Sequence, residues 1–159
     1  MNEPPRTPGP RLYWEDFSVG MVREFGGMTV SREEIIDFAR RYDPQPFHVD
    51  EAAARETPFG GLIASGWHTG ALAMRMMCDA YLLDAASLGS PGLENLRWVA
   101  PVRPGDTLHV RLTVLAARTM QSRPRVGLVE SRWEVFNQDD EMVLEMRGWG
   151  MFARRPDQR

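Results

Sequence analysis

The stretch Phe59-Gly60-Gly61-Leu62-Ile63-Ala64-Ser65-Gly66-Trp67-His68-Thr69 opens onto residues 67 to 84, where Trp67, Leu72, Ala73, Met76, Met77, Tyr81 and Leu83 cover nearly every side of a helix. A helix that is apolar all round belongs inside a domain. It is no membrane span: Arg75 and Asp79 interrupt it, and the run is shorter than the roughly 20 residues a bilayer requires. Its methionines read as flexible core filling. The glycines ahead of it loosen the backbone, so that N–H groups around Gly66 can point outward with the positive end of the helix dipole behind them.

Beyond this helix the period changes. Leu108, Val110, Leu112 and Val114 alternate with His109, Arg111 and Thr113, and the same period of two recurs at Val129, Trp133 and Val135 and at Met142, Leu144 and Met146. These are half-buried antiparallel strands. Arg103-Pro104-Gly105-Asp106 and Asn137-Gln138-Asp139-Asp140 are the turns, and Gly148 is expected to mark a bulge that shifts the in/out phase before Trp149 and Met151. Strands following one apolar helix predict an α+β domain with the sheet curled around that helix.

Ahead of the helix, Arg41-Tyr42-Asp43-Pro44-Gln45-Pro46-Phe47-His48-Val49-Asp50 places a carboxylate and an imidazole five residues apart in a loop stiffened by two prolines. A helix over residues 32 to 42 leads into it. Ser31 and Glu34 have the capping-box spacing, and Ile35, Phe38, Ala39 and Tyr42 form an apolar face. That helix stops at Asp43 because Pro44 disfavours α geometry in the residue before it. Asp50 can cap a short helix through about Arg55. Tyr13 to Phe25 reads as an irregular approach with a short strand broken at Gly26-Gly27.

At 159 residues, 43% hydrophobic and 26% charged, the chain fits one domain with a real core. A net charge of −3 provides no basic field for nucleic acid. The single cysteine, Cys78, excludes an internal disulfide and suits a reducing, cytoplasmic setting. Residues 1 to 10, with four prolines and no apolar run, are expected to be a disordered tail rather than a signal peptide, leaving residues 11 to 159 as the domain.

Asp-x-x-x-x-His with a proline two residues before the histidine, followed by Ile63-Ala64-Ser65-Gly66, resembles the MaoC-like dehydratases and R-specific enoyl-CoA hydratases over about residues 15 to 153. The resemblance implies the hot-dog fold, an antiparallel sheet wrapped around a long central helix. It also implies reversible hydration of a 2-enoyl thioester to the (R)-3-hydroxyacyl thioester, a hydro-lyase activity of fatty acid metabolism. Asp43 and His48 are then the catalytic pair. Gly66 supplies an oxyanion N–H, and Ser65, Gln45 and Trp67 are candidate substrate-binding neighbours. The family often has Asn-Pro where this chain has Gln45-Pro46, and His-Gly where it has Ser65-Gly66. These differences bear on the substrate rather than on the reaction class.

Arg118, Arg123 and Arg125 flank the loop at Thr119 to Pro124 and are candidate contacts for the phosphates of coenzyme A. His68 could face the same site, whereas His109 falls on the outward phase of its strand. No third ligand accompanies Asp43 and His48 at a suitable spacing, so no metal is expected. No cofactor is expected beyond coenzyme A as part of the substrate. The expected partners are an acyl-CoA or acyl-carrier-protein thioester and a second copy of the chain, in a homodimer or higher homo-oligomer, with neither membrane nor nucleic acid. Bulky Phe59, Trp67, Met74 and Met77 suggest a limited pocket for short or branched acyl groups. Two other readings remain open at this point: a hot-dog thioesterase, which would release free thiol, and a non-catalytic acyl-thioester-binding subunit, since fold does not establish activity.

Overall fold

The computed structural model describes residues 9–156. A 3-10 turn at Trp14–Asp16 precedes strand β1 (Val22–Thr29), which is followed by helices α1 (Arg32–Tyr42), α2 (Pro46–Val49), α3 (Glu51–Arg55) and α4 (Gly66–Met77). Strands β2 (Gly92–Trp98), β3 (Thr107–Thr119), β4 (Val126–Phe136) and β5 (Met142–Ala153) complete the chain. All strand pairs are antiparallel, in the order β1-β3-β4-β5-β2. The expected tail lies almost wholly outside the described residues.

The alternation in β3 has the predicted sense. Leu108, Val110, Leu112 and Val114 are buried, as are Val129, Trp133 and Val135 on β4 and Leu144 and Met146 on β5. Against this face α4 presents Leu72, Ala73, Met76 and Met77. The sheet curled on one helix is the α+β hot-dog arrangement.

The helix departs from expectation in two ways. It ends at Met77 and passes into a π turn, Cys78–Leu82, whose wider winding brings the Tyr81 hydroxyl to 3.1 Å from Trp133 Nε1. It is also not buried on every side, since Trp67 is 61% and Met74 49% exposed. Composition alone could not separate a helix sunk in one core from a helix with a second apolar face turned outward.

Glycines that read as breaks instead allow close packing. β1 runs through Gly26 and Gly27, both at positive φ, with a bulge between Gly26 and Met28. A Cβ on Gly26 would meet the Met76 sulfur at 2.6 Å, so the strand passes tightly over α4 there. The expected bulge at Gly148 lies on the partner strand, where the register shifts between Leu93 and Asn95. Met146 and Phe152 therefore keep one inward phase. A Cβ on Gly148 would fall 2.8 Å from the Gly92 carbonyl oxygen, which explains the glycine without a phase shift.

Strand β2 carried no expectation. It is an edge strand with mostly exposed residues, so its alternation is weak. The two expected turns close as read. Asp106 accepts from the Arg103 N–H at 2.8 Å, and the Asn137 side-chain oxygen accepts from the N–H groups of Asp139 and Glu141 at 3.0 and 3.1 Å.

Candidate active site

The local sequence around Asp43 folds as its chemistry requires. Ser31 caps α1 with a reciprocal Glu34 bond, and Asp43 is the C-cap, its N–H donating to the Ala39 carbonyl at 2.8 Å. Such an N-cap is worth about 1 kcal/mol. Pro46 sits in the first turn of α2, where its missing N–H costs nothing, so His48 lies on a short helix rather than in the expected loop. Asp50 ends α2 and caps α3 through the N–H groups of Ala52 and Ala53.

His48 is 5% exposed. Its Nδ1 lies 2.8 Å from the Ile63 carbonyl oxygen. A carbonyl can only accept, so Nδ1 carries the hydrogen, and Nε2 is the nitrogen left to exchange a proton. Nε2 lies 3.3 Å from Asp43 Oδ2. The same carboxylate accepts from Gln45 Nε2 at 2.8 Å on Oδ1 and from the Ser65 hydroxyl at 2.7 Å on Oδ2. Burial pushes the Asp43 pKa up, but the Ser65 and Gln45 hydrogen bonds and the charge interaction with His48 outweigh it and hold the carboxyl below its ordinary value.

Gly66 is the first residue of α4, where the backbone N–H has no acceptor within the helix. Ser65 is the N-cap, accepting from Trp67 N–H at 3.3 Å. A Cβ at Gly66 would fall 2.4 Å from the Trp98 indole, so only glycine lets this tryptophan close over the helix start. Asp43, His48, Gly66, Phe59, Trp67 and Trp98 line one cavity of about 470 Å³. It combines a carboxylate beside an imidazole, an amide donor at a helix N-terminus and apolar walls. That set can move a proton next to a developing negative charge.

A model of the MaoC like domain matches residues 16–135 of this sequence. The chain belongs to the MaoC-like dehydratase family. Among solved structures, this MaoC-like dehydratase is similar to one from Rhodospirillum rubrum, with 42% identity, 92% of this chain and 99% of the other covered, and a TM-score of 0.85. It is also similar to an R-hydratase of Pseudomonas aeruginosa, with 26% identity, 91% and 87% coverage, and a TM-score of 0.70. The 3-hydroxybutyryl-CoA dehydratase of Methylorubrum extorquens is 31% identical over 139 residues, 84% of this chain and 80% of its own. The chain is thus an enzyme of the hydro-lyase class.

In this MaoC-like dehydratase Asp43, His48, Gln45, Gly66 and Trp67 share the cavity. Ser65 does not line it: the residue is fully buried behind Asp43, with its hydroxyl on the carboxylate. Met74 and Met77 line a different cavity, so the four bulky residues do not bound one pocket. His68 is buried and stacked on Phe38 at 4.6 Å, away from the cavity. His109 stacks on Phe136 at the sheet surface.

The candidate phosphate contacts are not brought to this cavity by their own chain. Trp98 pairs with Leu144, Leu144 with Val135 and Val135 with Val110. Arg118 lies eight residues farther along β3 than Val110, roughly 26 Å at the rise of a strand. Its guanidinium stacks over Trp149 at 5.1 Å, Arg123 reaches the sulfurs of Met120 and Met151, and the Arg125 carbonyl accepts from Arg154 N–H. The nearer cation is Arg103, which donates to the Phe59 carbonyl at 2.7 Å and so ties down one wall of the cavity. Trp98 and the Ile63 carbonyl were not singled out from sequence. Leu96 and Trp98, two apart just ahead of the Arg103–Asp106 turn, are the signal for the first. A backbone acceptor leaves none.

Among the described residues, no helix is long and apolar enough to cross a membrane.

Proposed function

We propose that the chain catalyses the reversible hydration of a 2-enoyl thioester, carried by coenzyme A or by acyl carrier protein, to the (R)-3-hydroxyacyl thioester. The observation that carries this reading is the 3.3 Å approach of His48 Nε2 to Asp43 Oδ2 within the cavity that also holds the Gly66 N–H. Asp43 and His48 share the proton work, with one water hydrogen-bonded to both of them. One proton leaves the water as its oxygen bonds to the β-carbon, and one proton is delivered from the pair to the α-carbon. The thioester oxygen, negative in the enolate, accepts from Gly66 N–H. No added cofactor is needed, since coenzyme A enters with the substrate. A panel of 2-enoyl-CoA thioesters followed by loss of the conjugated-alkene absorbance tests the reading. Turnover of none of them, or release of free thiol instead, would overturn it.

Ser65 supports the pair from behind, and Gln45 supports it from the cavity side. Ser65→Ala removes a donor that favours the charged form of Asp43, so the acid limb of the kcat/KM profile moves to higher pH. The stability profile moves in the same sense. A carboxylate whose folded pKa is depressed favours the folded state above its unfolded value, and this contribution is lost as pH falls through the folded value. Without the serine hydroxyl that contribution is smaller and its loss is complete at higher pH. An unchanged acid limb in a folded variant would remove Ser65 from the account. Ser65→Gly is the companion control, because glycine at an N-cap costs only a few tenths of a kcal/mol.

We also propose a homo-oligomer, which the sheet edge supports. β2 has an unpaired side, and Leu93, Trp98 and Val99 on and beside it are 44–49% exposed, beside Trp67 on α4. The edge strand and these side chains can be covered together by a second copy. Sedimentation across a dilution series is expected to give a dimer or larger. A monomer at all concentrations would contradict this.

A further inference from the structure

A second cavity of about 370 Å³ lies on the other side of the core, walled by Met74, Met77, Leu112, Val129, Met146 and Phe152. In this apolar lining sit two buried hydroxyls that the proton chemistry does not use. Ser131 is 5% exposed and occupies the inward row of β4 between Val129 and Trp133, and its hydroxyl makes no hydrogen bond to another described residue. Tyr81 is 3% exposed, and its oxygen accepts from Trp133 Nε1 at 3.1 Å, which leaves the phenolic hydrogen available. Burial pushes the Tyr81 pKa up to about 12, so the group is a neutral donor at physiological pH. A valine in place of Ser131 would fill the same position without the desolvation cost that a bound apolar group imposes on an unpaired, cavity-facing hydroxyl. A plain alkyl ligand would leave that cost in place.

The two cavities have no lining residue in common but border different stretches of the same two elements, α4 and β2. α4 gives Gly66 and Trp67 to the first and Met74 and Met77 to the second, and β2 gives Trp98 to the first and Gly92 and Leu93 to the second. Gly66 and Met74 are eight residues apart, roughly 12 Å along a helix axis. An acyl group whose thioester is held at Gly66 needs to span about that distance along α4 to reach the second cavity.

We propose that the second cavity receives the far end of the acyl group and selects for an oxygen function on it, a hydroxyl or keto group bonded by Ser131 and Tyr81. This rests on the enoyl-thioester reading of the first cavity and adds a substrate class to it: medium-length acyl groups oxygenated near their far end. Such a ligand meets both hydroxyls, with Tyr81 donating to the ligand oxygen and Ser131 donating or accepting as the group requires.

The test uses saturated acyl-CoA thioesters, which cannot be hydrated, so that binding is measured apart from turnover. By calorimetry, a saturated acyl-CoA with a hydroxyl or keto group near its far end is expected to bind about threefold to tenfold more tightly than the plain chain of the same length, the worth of one net hydrogen bond. Ser131→Ala should bring that ratio close to one. Tyr81→Phe should reduce it too, although it also strips the acceptor from Trp133, so Ser131→Ala is the cleaner variant. Circular dichroism checks that each variant is folded. Equal affinities for the two chains in the wild type, or a ratio unchanged in folded Ser131→Ala, would overturn the subsite. Hydration assays run alongside on the matching 2-enoyl thioesters separate the two ideas. Preference in binding with no hydration at all would sink the hydratase reading and leave the subsite standing.

Discussion

Asp43→Asn and His48→Gln are each expected to lower the hydration rate by about 10²- to 10⁴-fold, the usual contribution of a general acid or base, in proteins that remain folded. Asparagine keeps the size of Asp43 and can still accept from Ser65 or Gln45. Glutamine in place of His48 can still donate to the Ile63 carbonyl, which the ring now contacts at 2.8 Å. Net hydrogen bonds of this kind are worth only about 0.5 to 1.5 kcal/mol, too little to unfold an ordinary domain. What each variant loses is the titrating atom on its side of the 3.3 Å gap. Because the two act as one unit, the double variant should lose far less than the product of the single losses. Initial rates on a 2-enoyl-CoA with thermal melts in parallel decide the matter. Near wild-type rates from folded single variants would reduce the segment to a structural turn.

Gly66→Ala has the second largest expected effect. The new Cβ would stand 2.4 Å from the Trp98 indole, so either the ring or the start of α4 must move, and the amide aimed at the thioester oxygen moves with it. Loss of one such donor typically costs about 10²- to 10³-fold in kcat. The matching control is Gly70→Ala, one turn further along α4, where a Cβ would meet nothing within 4 Å. It should retain activity. Adding Trp98→Leu to Gly66→Ala relieves the clash and is expected to recover part of the loss. A Gly66→Ala enzyme with unaltered kcat would mean that this amide does not serve the oxyanion.

Legibility in the sequence tracked the range of each interaction. The caps of α1 and α3, the stop at Asp43, the inward rows of β3 and β4 and the two turns depend on residues a few positions apart, and all were readable. The pair itself was readable for the same reason, since five residues and two prolines bring Asp43 and His48 together locally. What could not be read depended on contacts across the fold. Gly26 and Gly148 look like breaks until the atoms their missing Cβ would strike, the Met76 sulfur and the Gly92 carbonyl, are known. Ser65 was expected at the substrate, and the 2.7 Å bond across 22 residues puts it on Asp43 instead. Arg118, Arg123 and Arg125 are close in sequence to one another but lie at the far end of the strands from Trp98. Strand β2 was missed because an exposed edge strand has little alternation to show.

The central claim is that one coupled pair, on one side of the cavity, both activates the water and protonates the α-carbon. Hydration of a 2-enoyl-CoA in deuterated water, with the stereochemistry of the product read by NMR, tests it most directly. Groups 3.3 Å apart serve one face of the alkene. The account therefore predicts an (R)-3-hydroxyacyl-CoA with a single deuterium on the α-carbon, added to the same face as the hydroxyl. Addition to opposite faces, or deuterium distributed over both α positions in the initial product, would contradict it.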